Sequence, residues 1–293
     1  MFFCIKYLEM KLYRLIESII KKIYRIPNYT KNEKLKKTFI SAKYNTSTHQ
    51  DLIFSSKNKI NYILKNNEEI SKIIFINGEF DFHVLKKGLK LLKKKKLKYL
   101  VSIGSHVGTT LIPAIKFGLF ENCIAFEPSI ENYRLLTANI HINKIEKKIS
   151  SFNIGLSNKV CDGYLKKNPL NSGDHRVIKS KKNSEKIRLD ILDNFTSKID
   201  KKNSFLFMDA QGHEPYILLG AKKTLKKNIP LIFELMPDSI NNEQLNIIFK
   251  SIQNYKKISD LREDKIFELN KTNFYEIYKK YQKNKFYTDI MVF

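Results

Sequence analysis

The sequence predicts an α/β fold with a mostly parallel sheet and helices on both of its faces. Apolar runs typical of buried strands occur at 98–103, 123–127, 149–156, 204–209 and 230–235, and a final strand is expected at 286–293. Amphipathic helical patterns follow several of these runs, at 109–118, 129–142, 214–227 and 239–253. This alternation indicates parallel strands joined by helical crossovers.

The composition supports a large core and a reducing environment. Apolar residues make up 42% and aromatic residues 12% of the 293-residue chain, which argues against disorder. The three cysteines, Cys4, Cys123 and Cys161, are scattered along the sequence. This spacing favours neither a disulfide framework nor a zinc cluster, so we expect a cytoplasmic protein.

The charge of the chain is strongly positive, yet it does not predict a specific nucleic-acid partner. The formal net charge is +25, with 54 lysines and arginines. Only six of these are arginine, the residue whose planar fork best grips phosphate and guanine. We therefore expect a solvated, lysine-rich surface that attracts anionic membranes or substrates only loosely.

The first 90 residues are predicted to form a helical extension to a domain at 91–293. Residues 5–26 place isoleucines and leucines on one helical stripe, with basic residues mostly opposite. We favour docking of this helix on its own domain or on a second copy in a homodimer. The alternative is peripheral contact with the inner face of a membrane, where each lysine near anionic lipid contributes about 1 kcal/mol.

The region 157–203 interrupts the alternation of strands and helices. It contains no stretch with the clear periodicity of the segments on either side. A substrate-facing insertion and a set of extra strands are both consistent with this pattern.

A glycine turn follows the first predicted strand of the sheet. Gly104 and Gly108 stand in I-G-S-H-V-G, with His106 where a dinucleotide-binding loop carries its middle glycine. The G-K-[ST] ending of a phosphate-binding loop is also absent. The turn therefore suits a ligand without phosphates, such as S-adenosylmethionine, whose amino-acid end would lie against it.

Three other strand ends carry acids. Glu127 follows the second strand, 23 residues after Gly104, and is placed to accept hydrogen bonds from the two hydroxyls of a ribose. Asp209 ends the strand at 204–209, and Glu234 lies at the end of the strand at 230–235. Since ligands of parallel sheets bind at the carboxyl ends of strands, these acids predict a ligand crevice there.

Taken in order, several motifs resemble the FkbM family of S-adenosylmethionine-dependent methyltransferases over residues 98–238. The motifs are V-x-I-G-x-x-x-G-T-T, FEPSIENYRLLTANIHIN, NIGLSN, SGDHRV and MDAQGHEPYILLGA. The resemblance implies a Rossmann-like class I methyltransferase fold with a seven-stranded sheet whose last strand is antiparallel. It also implies O-methylation of hydroxyls, commonly those of sugars in surface glycans or of natural-product scaffolds.

The chain departs from the family pattern at two positions of the cofactor turn. Ser102 stands where the family usually has an acid, and His106 stands where it has asparagine. A serine hydroxyl can accept a hydrogen bond from the methionine ammonium without charge assistance, which about halves the strength of that bond. The cofactor-binding residues expected on this basis are Ser102, Gly104, Ser105, His106, Gly108, Thr109, Glu127, Pro128, Gly155, Leu156 and Asp209.

Methyl transfer to an alcohol needs a group that accepts the hydroxyl proton. We expect Asp209 and His213 in this role, with Glu234 and His175 in reserve. The acceptor, a small molecule or glycan, is expected to contact His175, Arg176, Gln211 and Glu214. No tight His/Asp spacing predicts a metal site. A nucleic-acid methyltransferase, favoured by the charge, and a non-enzymatic binding module, favoured by Ser102, are the alternatives.

Overall fold

The computed structural model describes residues 52–66, 68–94 and 96–293. The predicted helix at 5–26 lies outside the described residues. The strands are β1 Leu52–Lys57, β2 Ile60–Lys65, β3 Leu97–Ile103, β4 Phe120–Phe126, β5 Ile149–Phe152, β6 Gly155–Leu156, β7 Cys161–Lys166, β8 Arg176–Ile178, β9 Glu185–Asp190, β10 Ser204–Met208, β11 Leu231–Leu235, β12 Lys257–Asp260, β13 Lys265–Glu268 and β14 Thr288–Val292. The α-helices are α1 Glu69–Asn77, α2 Phe82–Leu91, α3 Leu111–Lys116, α4 Ile130–Ile142, α5 Glu214–Leu219, α6 Lys222–Lys226, α7 Asn242–Ile252 and α8 Lys271–Lys283.

The central sheet confirms the predicted mostly parallel α/β architecture. Its strand order is β13-β12-β14-β11-β10-β3-β4-β5. The five strands from β11 to β5 pair in parallel, and β14 is antiparallel to both of its neighbours. The described sheet has eight strands where seven were expected, because β13 adds a hairpin strand beside β12. All four residues of β13 are exposed, so it extends the edge without enlarging the core.

Helices cover both faces of the sheet, as predicted. Alternating residues of β10 point to opposite faces: Phe205 and Phe207 join one apolar cluster, and Leu206 and Met208 join the other. The first cluster includes residues of α1 to α4, and the second includes residues of α5 to α8. Central strands buried on both faces read as continuous apolar runs, which is why β10 and β11 were visible in the sequence.

The described part of the predicted N-terminal extension is mixed in secondary structure rather than purely helical. Strands β1 and β2 form an antiparallel hairpin, followed by helices α1 and α2. The hairpin is tied to α4, where the side-chain oxygens of Asn143 and Asn139 accept the backbone N–H groups of Asn61 and Ile63 at 3.0 and 2.6 Å. Hairpin and helices share the first apolar cluster with the sheet. The proposed boundary at residue 90 stays a prediction.

The irregular region after β5 contains extra strands, the second of the two expected alternatives. Strands β6, β9, β7 and β8 form a separate four-stranded sheet in that order. The predicted strand at 149–156 is therefore two strands in different sheets. Among the described residues, no helix is long and apolar enough to cross a membrane.

Two helical segments differ from the sequence expectation. The predicted helix 214–227 is divided into α5 and α6 at Gly220, where a Cβ would lie 2.0 Å from the carbonyl oxygen of Ser157. Helix α8 was missed in a stretch that reads as polar. Its buried residues, Phe274, Ile277, Tyr278 and Tyr281, nevertheless have the spacing of one helical face.

Candidate active site

A cavity of about 510 Å³ opens at the carboxyl ends of the parallel strands β3, β4, β10 and β11. Almost all of the predicted site residues line it; only Gly108 and Glu214 do not. The predicted residues along its wall are Ser102, Gly104, Ser105, His106, Thr109, Glu127, Pro128, Gly155, Leu156, His175, Arg176, Asp209, Gln211, His213 and Glu234. The structure thus brings together residues from distant parts of the sequence, as the strand-end argument predicted.

The glycine turn after β3 requires glycine at two positions for steric reasons. Gly104 has φ +75°, and a Cβ there would lie 1.7 Å from the backbone oxygen of Asp209. Gly108 has φ +94°, and its Cβ would lie 2.4 Å from Ile112 Cδ1. Gly104 therefore lets the turn approach the end of β10, and Gly108 lets the turn pack on α3.

Glu127 connects the turn to the start of α4. Its Oε2 accepts the backbone N–H of His106 at 2.8 Å, and its Oε1 accepts that of Ser129 at 2.9 Å. Burial raises the pKa of this carboxyl to about 7. Glu127 lines the cavity where the ribose was predicted, and that ribose contact stays a prediction.

The two serines of the turn are hydrogen-bonded to each other. The hydroxyl of Ser105 lies 3.1 Å from both the carbonyl oxygen and the hydroxyl of Ser102. Ser102 is only 2% exposed, and it lines the cavity. The position where the family usually has an acid therefore carries a small neutral acceptor.

His106 is held by two residues to which the sequence assigned no role. Its Nε2 lies 2.7 Å from the hydroxyl of Ser172, which donates to Glu68 Oε2 at 2.5 Å. Burial lowers the pKa of His106 to about 3, so the ring is neutral near pH 7. Ser172 begins the SGDHRV motif, but no local signal marked Glu68, which lies 104 residues away in the sequence.

Asp209 and Glu234 share the side chain of Gln211. The Gln211 amide nitrogen donates to Asp209 Oδ1 at 2.6 Å and to Glu234 Oε2 at 3.3 Å. Burial raises the pKa of Asp209. Burial and then the Asp209 carboxylate raise the pKa of Glu234 to about 10. The acids at the end of the cavity next to β10 and β11 therefore keep their protons to higher pH than exposed carboxyl groups do.

Two further acids in the cavity were missed. Asp81 precedes α2, and burial followed by the charges of Asp209 and Asp289 raises its pKa to about 8. Asp289 lies on β14, and burial raises its pKa to about 7 while Arg262 acts in the opposite direction. Asp289 is the lone acid in the apolar tail FYTDIMVF. This was an available signal, since charged residues are rarely buried in a strand unless they are paired.

Three carboxyl groups lie close together in the structure, although their spacing in the sequence did not predict this. Side-chain oxygens of Asp209, Glu214 and Glu234 lie within 4.8 Å of one another, a group that could hold a metal ion. Glu214 Oε1 accepts the backbone N–H of Ala210 at 2.8 Å. Glu214 is buried and does not line the cavity, and its side chain fastens the loop after β10; its contact with the acceptor stays a prediction. The expectation that the site holds no metal ion stays a prediction.

His213 is hydrogen-bonded to Ser157 and not to Asp209. Its Nε2 lies 3.0 Å from the hydroxyl of Ser157, and its ring packs on Tyr216 with centroids 4.9 Å apart. Burial lowers its pKa to about 4. His213 lines the cavity as a neutral ring, whereas among the described residues the hydrogen-bond partner of the Asp209 side chain is Gln211.

The predicted acceptor residues at the start of β8 lie at the rim of the cavity. Arg176 Nε donates to Asp174 Oδ1 at 2.8 Å, and its Nη1 donates to the hydroxyl of Ser239 at 2.9 Å. His175 Nδ1 accepts the backbone N–H of Asn168 at 3.2 Å. Arg176 thereby connects the start of β8 to the turn after β11 that contains Ser239, and His175 is held by the loop after β7 that contains Asn168.

Most residues of this site lie in a segment that matches a known family. Residues 102–278, more than half of the chain, match the family model described as the methyltransferase FkbM domain. The chain belongs to the FkbM methyltransferase family. The resemblance predicted from the motifs is confirmed, and methyl transfer is the activity class of this FkbM domain. Sequence comparison with curated proteins gives no match.

Solved structures with a similar fold include other methyltransferases. Methyltransferase FkbM from Methylobacillus flagellatus is 17% identical with a TM-score of 0.44, and the alignment covers 68% of this chain and 44% of that protein. The tRNA (uracil-54, C5)-methyltransferase of Pyrococcus abyssi, in complex with S-adenosyl-L-homocysteine, is 11% identical with a TM-score of 0.39, covering 83% and 43%. The chain thus spans less than half the length of either protein, and likeness this distant says nothing about its acceptor.

Proposed function

We propose that the chain is an S-adenosylmethionine-dependent O-methyltransferase that acts on a hydroxyl of a sugar, in a surface glycan or glycolipid, or of a natural product. The observation that carries the proposal is the contact between the glycine turn and the end of β10. At that contact, Gly104 abuts the backbone of Asp209. A cofactor on the turn and an acid on the strand end would therefore face the same cavity.

The residues present fit S-adenosylmethionine. Without a Cβ, Gly104 lets the turn lie directly against the backbone of Asp209, and Ser102, Gly104 and His106 of the turn line the cavity. Glu127 offers a buried carboxylate at the end of β4, suited to ribose hydroxyls. When bound, this cofactor supplies a methyl group on a sulfonium, activated for in-line displacement.

The acids beside the turn supply the base. Burial raises the pKa of Asp209, which makes its carboxylate a better proton acceptor than an exposed aspartate. Gln211 donates to Asp209 and Glu234 together and so orients the two carboxyls. We assign Asp209 to accept the proton of the acceptor hydroxyl, with Glu234 next to it as the group that shares this proton.

The charges of the cavity favour a neutral acceptor over a nucleic acid. Six of its lining residues are acids, namely Asp81, Glu127, Asp174, Asp209, Glu234 and Asp289. The lining includes two lysine or arginine residues, Arg176 and Arg262, which are few partners for the phosphates of a nucleic acid, although the whole chain has a net charge of +25. Carboxylates instead accept hydrogen bonds from the hydroxyls of a sugar.

Two measurements test the proposal. Calorimetry with S-adenosylhomocysteine should give saturable heat at micromolar ligand, and no heat at high micromolar ligand would rule out the cofactor. Tritium transfer from labelled S-adenosylmethionine is then followed into fractionated envelope glycans, lipids and RNA of the source cells. Label in the glycan or lipid fraction supports the proposal. Label in RNA alone would replace it with the nucleic-acid alternative, and binding without any transfer would favour a binding module.

A further inference from the structure

Three side chains form a continuous buried hydrogen-bond chain behind the cofactor turn. Glu68 precedes α1, Ser172 lies in the loop before β8, and His106 is in the turn. The distances are 2.5 Å from the Ser172 hydroxyl to Glu68 Oε2 and 2.7 Å from the same hydroxyl to His106 Nε2. Each of the three residues is at least nine-tenths buried, and His106 lines the cavity.

The protons available in this hydrogen-bond chain determine which ring nitrogen of His106 is protonated. A serine hydroxyl has one proton to donate, and in the structure this proton goes to the carboxylate of Glu68. The Ser172 oxygen must then accept in its short contact with His106, so Nε2 carries the ring proton. A neutral imidazole has only one such proton, and Nδ1 is therefore left with a free lone pair.

The electrostatics of His106 agree with this assignment. Burial lowers the pKa of His106 to about 3, and the nearby His175 acts in the same direction. The ring therefore does not gain a second proton near neutral pH. Burial raises the pKa of Glu68, whereas the Ser172 hydrogen bond and the Lys65 ammonium act to keep its ionised form. Lys65 Nζ lies 3.6 Å from Glu68 Oε1.

We propose that Glu68 is a positioning residue that acts through Ser172 to hold His106 in the Nε2–H tautomer, so that Nδ1 accepts a hydrogen bond from a donor group of the bound cofactor. The proposal rests on the proposed function, since it assumes that the cofactor lies on the turn. Among the described residues, the His106 side chain has one hydrogen bond, through Nε2. The Nδ1 edge of the ring points away from that bond and is available to a ligand in the cavity.

This arrangement supplies a neutral acceptor at the turn where Ser102 replaces the acid that the family usually has. The donor on the cofactor is either the methionine ammonium or a ribose hydroxyl. Both groups donate a proton, and both require Nδ1 to be unprotonated. The opposite tautomer would direct an N–H at the donor, and this hydrogen bond to the cofactor would be lost.

Nitrogen NMR of the protein without cofactor tests the tautomer directly. Long-range proton–nitrogen correlations distinguish a protonated from an unprotonated ring nitrogen, and His106→Gln assigns the signals. We expect the wild-type protein to have Nδ1 of His106 unprotonated; a protonated Nδ1 would overturn the proposal. Glu68→Ala frees the Ser172 proton to turn towards His106, so the population with Nδ1–H should rise. The exposed neighbour Glu69 provides the control Glu69→Ala, which should leave the spectrum unchanged.

Ligand affinity tests the consequence for binding. Loss of one buried hydrogen bond should weaken S-adenosylhomocysteine binding to Glu68→Ala about tenfold, whereas Glu69→Ala should bind like wild type. The same titrations with 5′-methylthioadenosine, which lacks the amino-acid end, identify the donor: an equal loss assigns the ribose, and an unchanged affinity assigns the ammonium. If Glu68→Ala binds S-adenosylhomocysteine as tightly as wild type, the proposal is wrong. If the wild-type protein binds no S-adenosylhomocysteine, the proposed function itself has failed.

Discussion

The α-carbon of Gly104 faces the backbone oxygen of Asp209 so closely that a Cβ would lie 1.7 Å from that oxygen. The first residue of the cofactor turn and the acid at the end of β10 are thereby locked in one geometry, because the backbone N–H of Asp209 also donates to Ile103 at 3.0 Å. The distance between a ligand on the turn and the acids depends on this contact.

Gly104→Ala should therefore destabilise the protein and abolish binding of S-adenosylhomocysteine. The added methyl group must displace the backbone of Asp209, and this overpacking costs about 1–3 kcal/mol. The left-handed backbone conformation of an alanine at position 104 costs about 1–2 kcal/mol more. Gly118→Ala is the matched control, since Gly118 has a similar φ of +72° and a Cβ added there would meet nothing within 4 Å. Urea denaturation and calorimetry of both variants check the prediction. Equal stability losses would show that the contact at Gly104 is unimportant.

Asp209→Asn should reduce kcat by about 10²–10⁴-fold, the usual contribution of a general base. Asparagine has the shape of the protonated acid that burial favours, so the affinity for S-adenosylhomocysteine should change far less. Asp162→Asn provides a control at an exposed aspartate paired with Lys186, and its turnover should equal that of wild type. Full activity in Asp209→Asn would show that Asp209 has no catalytic role.

The parts of the site that could be predicted are those whose physical signal is local. The β10 run is buried at every position and apolar at four of its five residues, and Gly104 and Glu127 stand directly at strand ends. Asp81 and Glu68 instead reach the site by packing of α1 and α2 on the sheet. No short-range pattern records that packing, so sequence reasoning missed them.

Helix α8 was missed for a different reason. Its apolar stripe is present in the sequence, but the lysines and asparagines between the stripe positions make the segment read as polar. The Asn270 side chain that accepts from the Asn273 N–H at 2.9 Å marks the start of this helix as a preferred N-cap residue. Asn270 was a usable signal, and it would have placed a helix between the hairpin and the last strand.

Ser102→Asp should tighten binding of S-adenosylhomocysteine by about tenfold, because a carboxylate gives the methionine ammonium a charge-assisted hydrogen bond. Without ligand the same variant should be less stable, since the new acid is buried beside Ser105 and has no cation. Ser102→Asn, of similar size and without charge, is the control and should bind like wild type. Calorimetry distinguishes the two variants. Weaker binding by Ser102→Asp would mean that the ammonium does not lie near this position.

Glu234 should make the free protein less stable as the pH rises from 7.5 to 9.5. Its folded-state pKa is about 10, far above that of an unfolded glutamate. The folded state therefore holds a proton that the unfolded state has lost, and its stabilising effect disappears as the pH rises towards 10. The slope from this one group is at most about 1.4 kcal/mol per pH unit. Asp81, with a pKa of about 8, contributes in the same direction over the lower part of this range.

Glu234→Gln should therefore lose less stability than wild type between pH 7.5 and 9.5. The window lies above the ordinary histidine range because His106 and His213, with pKa values lowered to about 3 and 4, act with the opposite sign below about pH 6.5. Glu268→Gln, at an exposed residue of β13, controls for the change in net charge. Urea denaturation at each pH measures the free energy of unfolding. If the two variants have the same slope, the acid at the end of β11 is ionised in the folded protein and does not share a proton with Asp209.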